Sequence, residues 1–209
     1  MFRDSDRDFM ANNMNIVVES IESKLNEPFF VEFKDIAIFA ISKYIEAIQE
    51  FEASGLRRDL TCGKDNQAEE SIRAHFCEIT DGIVNGDAIQ VLDALRHSFA
   101  CYAYNGMHQI YTRQENECWH PKIVLTEVLE PNDIYSLSQD LTLYRGCGIS
   151  ELENFSFGQA WSTSLEVAKK FAYVHYRSQD WFDESSRIVL ETSYSRDHVL
   201  FSNQSVEYE

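Results

Sequence analysis

An apolar stripe within residues 29–51 constrains this chain more than any other feature. Phe33, Ile36, Ala37, Ala40, Ile41, Tyr44, Ile45 and Ile48 recur three and four residues apart, and Glu32, Lys34, Lys43, Glu46 and Glu50 fall off the stripe. At helical pitch these apolar residues gather on one wide face, which has to be buried against something. The neighbouring sequence supplies the partners. Ile16, Val17, Ile21 and Leu25 recur at helical spacing, and Ser54-Gly55 stops the long helix. A further helix is expected over 67–79, with Ile72, His75, Phe76 and Ile79 on one side, and another over 87–104, with Ile89, Leu92, Leu95, Phe99 and Tyr102 inward. Asp81-Gly82 and Asn85-Gly86 break the chain between them, 61–66 reads as a loop, and 107–117 as a short fifth helix. Residues 1 to about 115 therefore read as a helical region.

The texture changes near Trp119. Pro121 and Pro131 punctuate the chain, and β-branched residues appear in short clusters. Ile123-Val124-Leu125 reads as a short strand or a helix start. Strands are expected at 141–146, 155–161, 187–193, 198–201 and 205–209, with an amphipathic helix over 165–176 that gathers Val167, Ala168, Phe171, Ala172 and His175. The predicted fold class is α+β, with a helical N-terminal region over 1–117 and a small mixed α/β core over 118–209.

Charge narrows the partners. The chain carries 18 Lys and Arg against 35 Asp and Glu, a formal net charge of −17. Such a surface repels phosphate backbones, which disfavours non-specific nucleic-acid binding. Five cysteines, widely spaced and without a Cys-x-x-Cys, fit thiols in a reducing compartment better than a disulfide framework or a zinc site. The polar N-terminus has no signal-peptide apolar core, and no apolar run reaches the ~18 residues that span a bilayer. The expected setting is a cytoplasm, the cell's own or a host's, with no membrane partner. No His-Glu-x-x-His occurs, the six histidines lack metal-ligand spacing, and Gly146-Cys147-Gly148 is not a dinucleotide fingerprint, so no metal is expected.

Three short stretches carry chemistry. Arg145 precedes Gly146 at the expected end of a strand. A guanidinium fork there suits a pyrophosphate, and a glycine lets a flat ligand approach the main chain. A surface Arg before a turn fits the same residues. Ser162-Thr163-Ser164 runs from an aromatic-rich segment into the 165–176 helix, where Ser164 suits an N-cap and a serine just before it can orient a carboxylate. Glu207 and Glu209 alternate by two, so on a strand they share a face. Equally, they suit a solvated strand face in an acidic protein.

Taken in order, Leu-Tyr-Arg-Gly at 143–146, Trp-Ser-Thr-Ser at 161–164 running into Ala168 and Phe171-Ala172, and Glu-Tyr-Glu at 207–209 resemble the arginine-serine-glutamate class of mono-ADP-ribosyltransferases. That class includes bacterial toxins, phage enzymes and vertebrate ecto-enzymes. The likeness covers about 141–209. It implies an NAD-dependent transferase that takes NAD as substrate, needs no metal, and modifies a protein acceptor at arginine. It implies that Arg145 clamps a phosphate, that Gly146, Ser162 and Thr163 complete the NAD site, that Ser162 orients Glu209, that Glu209 stabilises the oxocarbenium charge, and that Glu207 serves the acceptor. One of Trp161, Phe171, Trp181 and Phe182 would lie against the nicotinamide. In that class the glutamate strand continues and another follows it. This sequence stops at Glu209, so the resemblance implies a core truncated at its C-terminus, a site completed by something else, or a degenerate one. Two other functions fit the same residues. The fold could act on nucleic acid or hydrolyse NAD, or an inactive transferase fold could serve as a non-enzymatic interaction module.

Overall fold

A computed structural model of the protein describes residues 1–55, 66–104, 120–130, 132–179 and 182–204. The architecture is mixed, with helices and a two-stranded antiparallel sheet, as the α+β expectation has it. The chain forms two compact units, Met1–Val124 and Leu125–Glu209.

The first unit is built on the apolar stripe. Helix α3 (Lys34–Ala53) buries Ala37, Ala40, Ile41, Tyr44, Ala47, Ile45, Ile48 and Phe51, while Ile36 at the stripe's margin stays exposed. It packs against α4 (Gln67–Thr80) and α5 (Gly86–Ala103), and α1 (Asp4–Asn12) lies against it as well. The ends are set locally. Gly55 takes the positive φ that closes α3, and Asn66 and Asn85 cap α4 and α5 by accepting the Glu69 and Ala88 N–H groups. Asn66 also donates to Ala103 O at 2.9 Å, which ties the start of α4 to the end of α5. In α1 a carboxylate is buried: Asp6 takes both arms of Arg3 at 3.0 Å and the Ser42 hydroxyl at 2.6 Å. Those bonds satisfy a charge that burial would otherwise make costly. The Tyr44 hydroxyl is buried without a partner among the described residues, and burial pushes its pKa up, so it stays neutral.

Helix α2 (Val18–Leu25) follows Ile16, which forms an isolated antiparallel bridge with Ile123. Val17 N donates to Lys122 O and Val124 N to Asn15 O. The stretch at 123–125, read as a short strand or a helix start, thus forms a single bridge at Ile123 that closes the first unit on itself.

The second unit is organised on β1 (Asp140–Gly148), paired in unbroken antiparallel register with β2 (Arg187–Ser195) from Asp140↔Ser195 to Gly148↔Arg187. The short α6 (Ile149–Glu153) follows β1 directly, and α7 (Leu165–Tyr173) lies across the sheet with Ala168 and Ala172 buried. Arg187 of β2 is buried and donates to the Ala172 and Phe171 carbonyls, satisfying acceptors in the last turn of α7.

Two expected strands take other forms. Residues 155–161 do not make a strand. Phe155 adopts a φ of +50°, and the Ser156 N–H turns back to Glu151 O, so the segment closes on α6. At 198–201 a 3-10 turn (Arg196–His198) gives way to an irregular stretch, where the Leu200 and Ser202 carbonyls accept the Leu129 and Asp133 N–H groups. The expected loop at 61–65, the helix at 107–117 and the strand at 205–209 lie outside the described residues.

Candidate functional site

The site is assembled on the edge of β1 that β2 leaves uncovered. There Tyr144 and Ser162 form an isolated antiparallel bridge: Tyr144 N donates to Ser162 O at 2.7 Å, and Ser162 N to Tyr144 O at 2.8 Å. Two main-chain bonds thus hold the serine stretch beside the residue that precedes Arg145. Ser162 is buried, and its Oγ accepts the Ser164 N–H at 3.0 Å. Ser164 in turn caps α7 by accepting the Val167 N–H, as its position before an amphipathic helix led us to expect. Thr163 Oγ1 donates to Gln204 Oε1 at 3.0 Å. Gln204 N is fixed in turn by Asp133 Oδ2 at 2.7 Å. The chain therefore passes within one hydrogen bond of Thr163 just before the glutamate stretch. Glu207 and Glu209 themselves lie outside the described residues, as does Trp181.

Arg145 does not stand at an open strand mouth. β1 continues to Gly148, and the guanidinium is enclosed by the segment that follows. Its Nε and Nη2 donate to the two carboxylate oxygens of Glu151 at 2.9 and 2.8 Å, and its Nη1 to Ala160 O at 2.7 Å. The Gly158 N–H donates to Glu151 Oε2 at 2.8 Å. Side-chain exposure is 7% for Arg145 and 14% for Glu151. A fork-to-fork pair this well covered fixes orientation strongly. Through Ala160 it also fixes the chain leading into Ser162. A side chain at Gly158 would run into the guanidinium, which is why a glycine stands there.

Gly146 also differs from expectation. A Cβ there would lie 2.5 Å from Ala172 N and closer still to Ala168 O, so the space is filled by the backbone of α7. The glycine lets strand and helix touch, with Ala168 and Ala172 as the small residues opposite. Gly146→Ala is expected to destabilise the second unit by about 3 kcal/mol, the upper end of the usual overpacking range, because the obstacle is main chain. Denaturant unfolding checks this; a midpoint equal to that of the parent would show that α7 moves aside at no cost.

Of the described aromatic candidates, Trp161 is half-buried, donates from Nε1 to Gly158 O at 3.0 Å, and meets Phe157 edge-on. Phe171 stacks on His175 with ring centroids 4.5 Å apart. Phe182 is half-buried, and its N–H donates to Gln179 O. Among the described residues no group of three or more His, Cys, Asp or Glu is set to hold a metal ion. No described helix is long and apolar enough to cross a membrane.

No family model, curated protein or solved structure matches this chain.

Sequence reasoning missed Glu151 and Gly158. A five-residue helix shows no periodicity, so nothing in the pattern marked Glu151 as a partner for Arg145. For Gly146 the signal was present: Ala168-x-x-x-Ala172 puts two small residues on one helix face, which is what close packing on a strand glycine needs.

Proposed function

We propose that the protein is an NAD-dependent mono-ADP-ribosyltransferase that modifies a protein acceptor at arginine. The observation that carries the reading is the Tyr144–Ser162 bridge together with the Thr163–Gln204 bond. Two stretches far apart in sequence, the one holding Arg145 and the one holding Ser162, are joined at one sheet edge, and Gln204 bonds to the second of them.

NAD supplies an ADP-ribosyl group on a nicotinamide bond that is already cationic, so its cleavage needs no strong acid. The chain's own residues then have four tasks. Arg145 grips a phosphate; its fork already holds a carboxylate bidentately, the same geometry that suits a phosphate. Ser162, held by the bridge, and Thr163, held by Gln204, orient the ligand and Glu209. Glu209 engages the ribose hydroxyl and stabilises the positive charge that develops as nicotinamide leaves with the bonding electron pair. Glu207 holds the acceptor guanidinium and takes its proton as the new C–N bond forms. The resulting excess of negative charge suits an acceptor segment carrying arginine, and it disfavours nucleic acid.

Calorimetric titration of the full chain with NAD tests the reading. Binding is expected in the micromolar to millimolar range, and Ser162→Ala is expected to lower NAD turnover about tenfold or more by freeing the glutamate's orientation. No NAD binding by the folded protein would remove the reading.

A further inference from the structure

Three N–H donors in the second unit converge on a single carboxylate. Arg145 Nε, Arg145 Nη2 and Gly158 N all point to Glu151, at 2.9, 2.8 and 2.8 Å. A guanidinium fork joined by a main-chain N–H is the donor arrangement of an oxyanion site. Here the anion is part of the chain. We infer that Arg145 and Gly158 form a binding site for a phosphate or diphosphate, and that the Glu151 carboxylate plugs it until the ligand displaces it. The inference rests on the reading that Arg145 serves a phosphate, and it adds the residue that controls access.

The element carrying the plug is loosely anchored. None of the five residues of α6 is buried. Ile149 and Leu152, which share a face of the helix, are both exposed. The turn after it is strained: Phe155 holds a left-handed φ of +50°, yet its ring is 82% exposed, so no packing holds it there. With so little apolar area buried, α6 belongs to the part of a fold that opens at low cost, and the Glu151 pair ties it to β1. Exchanging one bidentate anion for another conserves Arg145's hydrogen bonds. A diphosphate brings more negative charge than a carboxylate, which favours the exchange, whereas a neutral or singly charged ligand has little to offer against Glu151.

The test uses the full chain and inorganic pyrophosphate, with NAD titrated in parallel. Glu151→Gln keeps an acceptor for Gly158 and removes the competing charge. Its affinity for pyrophosphate is expected to rise about tenfold over the parent, and adding Arg145→Ala to it should abolish the gain. Hydrogen exchange on the unmutated chain gives a second measurement that does not depend on the variant folding. Pyrophosphate should increase exchange across 149–157 as Glu151 is released. Unchanged or weaker pyrophosphate binding by folded Glu151→Gln would overturn the inference, and so would slower exchange at 149–157 on ligand addition. If NAD binds with Arg145 dependence but Glu151→Gln binds it no more tightly, the plug is wrong and the transferase reading stands. If pyrophosphate behaves as expected and NAD does not bind, the anion site stands and the transferase reading fails.

Discussion

Glu209→Ala is expected to abolish both ADP-ribosyl transfer and NAD hydrolysis, a loss of at least about a thousandfold, or ~4 kcal/mol of transition-state stabilisation. The reason is the order of events. Cleavage of the nicotinamide bond precedes any choice of acceptor, so a carboxylate that stabilises the cationic ribose serves water and arginine alike. Glu207 is two residues away and on a strand would face the same way, but its expected task is different. A guanidinium approaches a cationic carbon poorly unless a carboxylate pairs with it and takes its proton. Glu207→Gln keeps the shape and loses that charge, so transfer to arginine should vanish while NAD hydrolysis survives. Nicotinamide release and label transfer, measured side by side on each variant, check the division. Equal loss of both activities in Glu207→Gln would end it, and loss of neither would point to an acceptor other than arginine.

Arg145→Ala is expected to cost about 1–3 kcal/mol of stability, because Glu151 loses its partner and α6 must open to solvate it. Ala160 O loses its donor at the same time, which loosens the chain entering Ser162. NAD affinity should fall more than tenfold, ~1.4 kcal/mol or more. The paired change Arg145→Met with Glu151→Leu separates the two effects. Replacing both partners removes the stranded charge but leaves the Gly158 N–H and Ala160 O without these partners, so stability should return in part while NAD affinity does not. Denaturant unfolding and calorimetry on the same samples read both quantities. If NAD binding recovers together with stability in the double variant, Arg145 supports the fold and does not touch the ligand.

These two cases also show what the sequence could and could not disclose. The stripe from Ala37 to Ile48 was legible because burial on a helix repeats at a fixed period, and the cap at Ser164 because a hydroxyl before an amphipathic run has a local reason to be there. β1 was legible from its alternation and β2 from its β-rich composition. The aromatic spacing at Phe155, Phe157 and Trp161 misled. It looks like a strand face, but the rings lie outside the core, and the main chain turns back to Glu151. Glu151's role was hidden because it depends on a contact across a tight connection, which neither propensity nor periodicity encodes. Arg187 was hidden for a similar reason: its target is the end of a helix, reached only once β2 pairs with β1. Within the site, residue types located Arg145, Ser162 and Thr163, but only the fold shows that Arg145 already holds an anion of its own.

The most direct test of the transferase reading is to incubate the full chain with NAD labelled on its adenylate and a cell extract, and then resolve proteins, nucleic acids and free nucleotides. The account predicts label on protein, dependent on Glu209 and released nicotinamide in equal amount. Label on nucleic acid, free ADP-ribose alone, or no consumption of NAD by the folded chain would contradict it.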